Sequence, residues 1–158
     1  TPATRSGFVV MPTVFQAPKP EQAVSQIALM MPFDAAFDPV HAAIVAACDS
    51  AGRTCLRVDQ IWNDSVIAQD VFNLIHGAQI VVVDFTGRNP NVMYETGIAH
   101  TLGREVVPLT QSKDDVPFDL RHHRYLLYKN SISGLRALEN DLARRIKTLA
   151  RRAQVQQK

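Results

Sequence analysis

Short apolar runs alternate along this chain with longer segments whose apolar residues recur at helical spacing. A run of about five apolar residues between turn signals is typical of a buried strand. The predicted strands are Ile27–Met31, Thr54–Val58, Ile80–Val83, Glu105–Leu109 and Arg124–Tyr128. Strands that are apolar without alternation belong to a sheet covered on both faces, which indicates a parallel sheet in an α/β domain.

Helical patterns fill the segments between the predicted strands. The expected helices cover Phe37–Ala51, a segment capped by Asn63 or Asp64 and reaching His76, Asn89–Leu102, and a C-terminal segment capped by Ser133. The fold class that this alternation predicts is α/β: a doubly wound, mostly parallel five-stranded sheet in a flavodoxin-like or Rossmann-like three-layer sandwich. In such folds ligands bind beyond the carboxyl ends of the strands.

The chain of 158 residues is predicted to have three parts, the first of which is interrupted by four prolines. Residues 1–25 are predicted to be an irregular segment or linker, residues 26–153 a single domain, and residues 154–158 a frayed tail. The apolar run Phe8–Met11 is expected to add an edge strand or to dock on a partner. Because the chain begins at Thr1 and not at Met, we expect either a trimmed chain or a domain cut from a longer protein.

Composition excludes several classes of protein. With 46% hydrophobic residues and a net charge of +2, the chain is neither disordered as a whole nor basic enough to bind nucleic acid by bulk charge. No apolar run is long enough to span a membrane. The two cysteines do not form a disulfide framework, so we expect a cytoplasmic protein. No histidine has the spacing of a metal ligand, and we expect neither a metal nor a cofactor.

Polar residues follow the predicted strands, where a doubly wound fold places its ligand. The candidate substrate-binding residues are Pro32, Phe33, Asp34, Asp59, Thr86, Gly87, Arg88, Asn89 and Asn91. Thr86-Gly87-Arg88 precedes a predicted helix, and a helix N-terminus beside an arginine favours a phosphate. An ordinary glycine-containing turn, and capping by Asp34 and Asp59, are the alternatives.

Glu95 is the most informative position. It lies early in the predicted helix that begins near Asn89, on a face that is otherwise small and apolar. Because the positive end of a helix dipole favours negative charge, we expect Glu95 to be ionised. An ionised, partly desolvated carboxylate is what a covalent nucleophile at a sugar carbon requires. The alternative is a glutamate that only complements the dipole.

The segment around Glu95 resembles a known signature. Residues 84–100, DFTGRNPNVMYETGIAH, resemble nucleoside 2-deoxyribosyltransferase-like proteins. Met31-Pro32-Phe33-Asp34 and the PFDLR stretch at 117–121 resemble the subgroup related to Toll/interleukin-1 receptor (TIR) domains. The resemblance covers residues 26–130. The first strand lacks the tyrosine common in deoxyribosyltransferases, so nucleotide or NAD-type substrates, or an absence of catalysis, stay open.

The resemblance implies cleavage or transfer at the N-glycosidic bond of a nucleoside, nucleotide or NAD-type dinucleotide. The glutamate matching Glu95 attacks the anomeric carbon, and the aspartate matching Asp84 contacts base or sugar and assists proton transfer. The resemblance also implies a homo-oligomer with a small-molecule partner. A second hypothesis is a non-catalytic TIR-like nucleotide-binding module in signalling or defence. A third is an interaction domain with a vestigial pocket.

Overall fold

The protein is seen in a computed structural model that describes residues 7–16, 26–57 and 67–156. Within these residues, one parallel sheet has the strand order β2-β1-β3-β4-β5. The strands are β1 (Gln26–Met30), β2 (Thr54–Arg57), β3 (Ile80–Asp84), β4 (Glu105–Thr110) and β5 (Leu126–Leu127). This is the flavodoxin-like order, and the predicted fold class is confirmed.

Helices cover both faces of this sheet. They are α1 (Asp38–Ser50), α2 (Ile67–Gly77), α3 (Pro90–Thr101) and α4 (Ile132–Gln156). One apolar cluster joins α1 and α4 to the sheet, and a second joins α2 and α3 to the other face. In β3, Ile80 and Val82 point into the first cluster, while Val81 and Val83 point into the second. Burial on both sides explains why this strand is apolar throughout.

The C-terminal part of the fold differs from the sequence prediction. The predicted strand Arg124–Tyr128 is reduced to the two residues of β5, because only Leu126 and Leu127 pair with β4 among the described residues. The predicted cap at Ser133 is wrong, because the Ser131 hydroxyl accepts the Gly134 N–H at 3.1 Å and α4 begins at Ile132. The helix continues through 154–156, which were expected to fray.

Residues 7–16 contain no helix or strand, so the predicted edge strand at Phe8–Met11 is wrong. The segment is attached to α2 instead. The ring of Phe15 stacks on Phe72 with centroids 4.6 Å apart, and the Gln69 amide makes two hydrogen bonds with the Gln16 backbone. These contacts hold the segment beside the sheet's helical layer.

Several predictions lie outside the described residues: the caps at Asn63 and Asp64, the candidate site residue Asp59, and Val58 at the end of the second strand. The division into segments 1–25, 26–153 and 154–158 stays a prediction. No helix in residues 7–16, 26–57 and 67–156 is long and apolar enough to cross a membrane.

Candidate functional site

A cleft of about 360 Å³ lies at the carboxyl ends of β1 and β3, between α2 and α3. Its lining residues are Met31, Phe33, Ala68, Val71, Asn89, Asn91, Val92, Tyr94 and Glu95. The site is therefore at the edge of the sheet where doubly wound folds bind ligands. Of the predicted site residues, it brings together Phe33, Asn89, Asn91 and Glu95.

The start of α3 positions the polar side chains of this cleft. The Asn89 side chain caps the helix by accepting the Asn91 N–H at 2.9 Å and the Val92 N–H at 3.4 Å. Pro90, with its fixed φ and no N–H to satisfy, suits the first helical position. Asn91 and Glu95 are one helical turn apart and so present their side chains on the same side.

Glu95 is half-buried in the cleft wall. Its carboxyl group makes no hydrogen bond or ion pair with any described residue. Burial raises the pKa of Glu95 from its ordinary 4.5 to about 7. The expectation of a fully ionised Glu95 is therefore wrong, because desolvation outweighs the helix dipole, which stabilises a charge by about 0.3–1 kcal/mol.

Asp84 does not line the cleft. Its side chain is fully buried, and Tyr128 donates its hydroxyl proton to Asp84 Oδ2 at 2.5 Å. The other oxygen, Oδ1, accepts the Thr86 hydroxyl at 2.6 Å and the Thr86 N–H at 2.9 Å. Tyr128 belongs to the cluster beneath α1 and α4, so the Asp84 carboxyl group faces away from α3 and Glu95.

Burial has the largest effect on the pKa of Asp84. Desolvation raises the pKa of Asp84, although the hydrogen bonds from Thr86 and Tyr128 act in the opposite direction. Gln111 extends the network, because its N–H donates to the Thr86 hydroxyl and its amide to the Tyr128 hydroxyl. The network therefore ties the end of β3 to the ends of β4 and β5.

The predicted phosphate loop, Thr86-Gly87-Arg88, is bound to the chain's own acidic turn at residues 113–115. The Gly87 N–H donates to Asp115 Oδ2 at 2.8 Å, and Arg88 lies 3.4 Å from Asp115 Oδ1. Gly87 and Arg88 both have positive φ, 78° and 55°, which bends the loop towards that turn. These groups meet a carboxylate, and the predicted phosphate contact stays a prediction.

Three further predicted residues, Pro32, Phe33 and Asp34, follow the end of β1. Phe33 is 58% exposed, and the Arg57 guanidinium lies 5.1 Å from the centre of its ring. Pro32 is buried. Asp34 caps a short 3₁₀ turn by accepting the Ala36 N–H at 2.8 Å, which is the capping alternative raised from the sequence.

Sequence reasoning missed five lining residues as site residues. These are Met31, Ala68, Val71, Val92 and Tyr94. A signal existed for Tyr94, because it lies three positions after Asn91 on the same helix and so shares its side. Ala68 and Val71 carried no such signal, because α2 is brought to the cleft by tertiary packing.

A metal centre built from at least three His, Cys, Asp or Glu side chains is not found among residues 7–16, 26–57 and 67–156. The polar residues that line the cleft are Asn89, Asn91, Tyr94 and Glu95. This set can bind hydroxyl groups and attack an electrophilic carbon.

No protein-family model matches the chain, and no curated protein sequence matches it. Among solved structures, it is similar to the TIR domain of the Toll-related receptor TRR-2 from the lower metazoan Hydra magnipapillata. The TM-score is 0.56 at 17% identity, over 73% of this chain and 96% of that chain.

Two further structures are similar at a TM-score of 0.47. One is the 2-desoxiribosyltransferase from Leishmania mexicana, at 18% identity over 56% of this chain and 65% of that chain. The other is the TIR domains of the activated Roq1 resistosome that recognises the pathogen effector XopQ, at 10% identity over 80% of this chain and 84% of that chain. The likeness to the Hydra domain shows that this chain has a TIR-like α/β fold.

Proposed function

We propose that this chain cleaves or transfers at the N-glycosidic bond of a nucleoside, nucleotide or NAD-type dinucleotide, with Glu95 as the nucleophile. The observation that carries the proposal is the Glu95 carboxyl group, half-buried and without a protein partner among the described residues, in the wall of a cleft at the carboxyl end of a parallel sheet. A carboxyl group held in that way has its oxygens available to a ligand.

The reaction proceeds in two displacements. Glu95 attacks the anomeric carbon, the carbon–nitrogen bond breaks, and its electron pair leaves with the base. A neutral nucleobase takes a proton from solvent water, whereas the positively charged ring of an NAD-type substrate leaves as a neutral base and needs none. Water or a second base then attacks the same carbon and releases Glu95, while the attacking group gives up its proton to solvent. Retaining glycosyl transfer follows this course when a carboxylate stands beside the sugar.

The other cleft residues suit the parts of such a substrate. The exposed ring of Phe33 offers a face for stacking on a base, with the Arg57 cation against it. The Asn91 amide offers a donor and an acceptor for sugar hydroxyl groups, and the Asn89 amide offers its N–H donors, because its oxygen already caps α3. Val71 and Val92 give the cleft an apolar wall that lowers the water content around Glu95.

Asp84 assists indirectly in this proposal. Its carboxyl group is engaged with Thr86 and Tyr128, so it acts as a positioning residue rather than touching the sugar. By fixing the turn at 86–88, it fixes Asn89 and the start of α3. The direction of the Glu95 side chain depends on that start. Asp84→Asn is therefore expected to lower activity together with stability.

We include a homo-oligomer in this function. Phe8, Val9 and Met11 expose 84%, 86% and 83% of their surface on a segment that is tied to α2 through Phe15 and Gln16. Apolar side chains clustered at the surface favour a protein partner. Sedimentation velocity of the wild-type chain and of Phe8→Ser tests this, and a monomer at every concentration would contradict it.

A second candidate function is a nucleotide-binding module without turnover. The favouring observation is that Glu95 is the one carboxyl group among the described residues that line the cleft. Retaining hydrolysis ordinarily uses two carboxyl groups. With Asp84 sequestered, the leaving base would need its proton from another source.

The experiment incubates the protein with deoxynucleosides, nucleoside monophosphates and NAD, and follows free base by chromatography. Glu95→Gln is run beside Glu139→Gln, which makes the same substitution on α4 outside the cleft. Base release that Glu95→Gln abolishes and Glu139→Gln keeps supports the enzyme. Full activity in Glu95→Gln contradicts the nucleophile. Tight binding of one compound without base release favours the second candidate.

A further inference from the structure

The two cysteines of the chain lie together where α1 leads into β2. Cys48 is in the last turn of α1, and Cys55 is the second residue of β2. The turn between them is tight, because the Arg53 N–H donates to the Cys48 carbonyl oxygen at 3.0 Å and Gly52 has a φ of 69°. The chain therefore reverses its direction directly after Cys48 and brings Cys55 back beside it.

Both thiol groups belong to the same side of the sheet. Cys55 is the partner of Ile27 in the register of β1 and β2, and Ile27 lies in the apolar cluster beneath α1 and α4. Cys48 is a member of that cluster, and Cys55 packs against it. The Cys48 thiol donates a hydrogen bond to the Cys55 sulfur, and this bond together with burial raises the pKa of Cys48. The two sulfur atoms are therefore in contact.

The two thiols differ in their access to solvent. Cys48 is completely buried, whereas Cys55 is half-buried on β2, which is at the edge of the sheet. A small oxidant in solution therefore reaches Cys55 before Cys48. Once Cys55 is oxidised, the protonated Cys48 thiol is the group that already touches it.

We propose that Cys48 and Cys55 are a redox-active pair, which a hydroperoxide converts into a disulfide that added thiols reduce again. The Cys55 thiolate attacks one oxygen of hydrogen peroxide, the O–O bond breaks, and Cys55 becomes a sulfenic acid. The departing hydroxide takes up the proton that the Cys55 thiol released, and it forms water.

The second step closes the disulfide. The Cys48 sulfur attacks the Cys55 sulfur, the S–O bond breaks, and the hydroxyl group leaves as water with the Cys48 proton. In total the two thiols lose two electrons and two protons, and one hydrogen peroxide is reduced to two molecules of water. Both cysteines are free in the structure, which is the reduced form of the pair.

A disulfide at this place should stabilise the fold. It would close a loop of about eight residues and so lower the entropy of the unfolded chain. It would also fasten an edge strand, β2, to the end of α1. The alternative is that the cysteines only fill space as small apolar residues. That role does not require the two sulfur atoms to touch, and it does not predict a disulfide.

The pair lies outside the Glu95 cleft, since neither cysteine lines it. Its chemistry therefore does not depend on the proposed function. Glu95→Gln is expected to form the disulfide as the wild type does, so the loss of base release and the loss of the disulfide are separate results.

The test exposes the full chain, folded and reduced, to excess hydrogen peroxide and alkylates the remaining thiols with iodoacetamide in urea. Because trypsin cleaves after Arg53, the disulfide joins two separate tryptic peptides. Mass spectrometry should find these peptides linked and free of alkylation, and dithiothreitol should separate them. The oxidised chain should run as a monomer on a non-reducing gel. When dithiothreitol reduces the same oxidised sample, its Tm should fall by at least about 3 °C.

Cys48→Ala and Cys55→Ala are the matched variants. In Cys48→Ala the oxidised Cys55 has no thiol beside it, so we expect dimedone to trap it as a sulfenic acid. In Cys55→Ala the remaining thiol is buried, and dimedone labelling should be about tenfold slower. The measurements on the wild-type chain test the pair by themselves if either variant does not fold, as judged by circular dichroism.

Each of four results would overturn the inference. The first is that both thiols are still alkylated after an exposure that consumes free cysteine at the same concentration. The second is that the disulfide joins two chains instead of closing within one. The third is a Tm that rises when the oxidised sample is reduced. The fourth is that dimedone labels Cys55→Ala as fast as Cys48→Ala.

Discussion

The Tyr128 hydroxyl joins β5 to the buried end of β3, and its removal should destabilise the whole domain. Tyr128→Phe deletes the bond to Asp84 Oδ2 at 2.5 Å and leaves the Gln111 amide without its acceptor at 3.1 Å. A hydrogen bond to a charged group contributes about 1.5–3 kcal/mol, and a neutral one about 0.5–1.5 kcal/mol. We expect a loss of about 3 kcal/mol in the free energy of unfolding.

The size of this loss should depend on pH. Burial raises the pKa of Asp84 above its ordinary 3.8, so the folded state binds the proton more tightly than the unfolded state does. The contribution of Asp84 to stability is then fully present below pH 3.8 and is lost as the pH rises through the folded pKa. The Tyr128 hydroxyl stabilises the ionised form, and the cost of deleting it should therefore grow as the pH rises through the folded pKa of Asp84, a trend that is followed between pH 5 and pH 8.

The assay is urea unfolding at both pH values, with Tyr125→Phe as the control. Tyr125 is half-buried near the same edge, and its hydroxyl group makes no hydrogen bond with a described residue. A loss of about 3 kcal/mol corresponds to a fall of about 6–12 °C in Tm for a domain of this size. A loss at pH 8 that stays below about 0.5 kcal/mol, the scale of a neutral surface change, would refute the reasoning.

Four further predictions concern Glu95, the Asn89 cap of α3 and the stack of Phe15 on Phe72. Glu95→Gln should raise the free energy of unfolding at pH 8 by about 1–3 kcal/mol in urea and change it little at pH 5, since a pKa raised to about 7 means that stability is lost as the pH rises through 7. If Glu95 attacks as an anion, kcat/KM should rise with pH through about 7, and a fall over that range would contradict this role. Asn89→Ala should cost about 1 kcal/mol in thermal unfolding by removing the α3 cap, and Asn89→Gly less. Phe15→Ala should cost about 1 kcal/mol by removing the stack on Phe72, and it should speed limited proteolysis within residues 7–16.

The sequence correctly predicted strand burial and helix ends, which depend on the residues of one short segment. The run at Ile80–Val83 predicted a strand buried on both faces, and β3 has that character. Gly52 and Gly103 marked helix ends, and both have positive φ just beyond α1 and α3. The predicted length of the strand at Arg124–Tyr128 was wrong, because strand length there depends on pairing with β4, which lies in another part of the sequence.

At the candidate site, the sequence likewise predicted what depends on one helix and not what depends on packing. Glu95 was found from its place in one helix, since Asn91 and Glu95 are a turn apart whatever surrounds them. Its protonation was predicted wrongly, because burial depends on packing against other elements, and burial raises its pKa to about 7.

The sequence by itself determined the α/β alternation, the parallel sheet and the helix that carries Glu95, because these follow from periodicity and capping within short segments. Tertiary structure alone decided which acidic side chains reach the cleft. Asp84 meets Tyr128 from 44 positions away, and Gly87 meets Asp115 from 28 positions away. Both contacts arise from the order in which the strands are laid side by side, and no local pattern encodes that order.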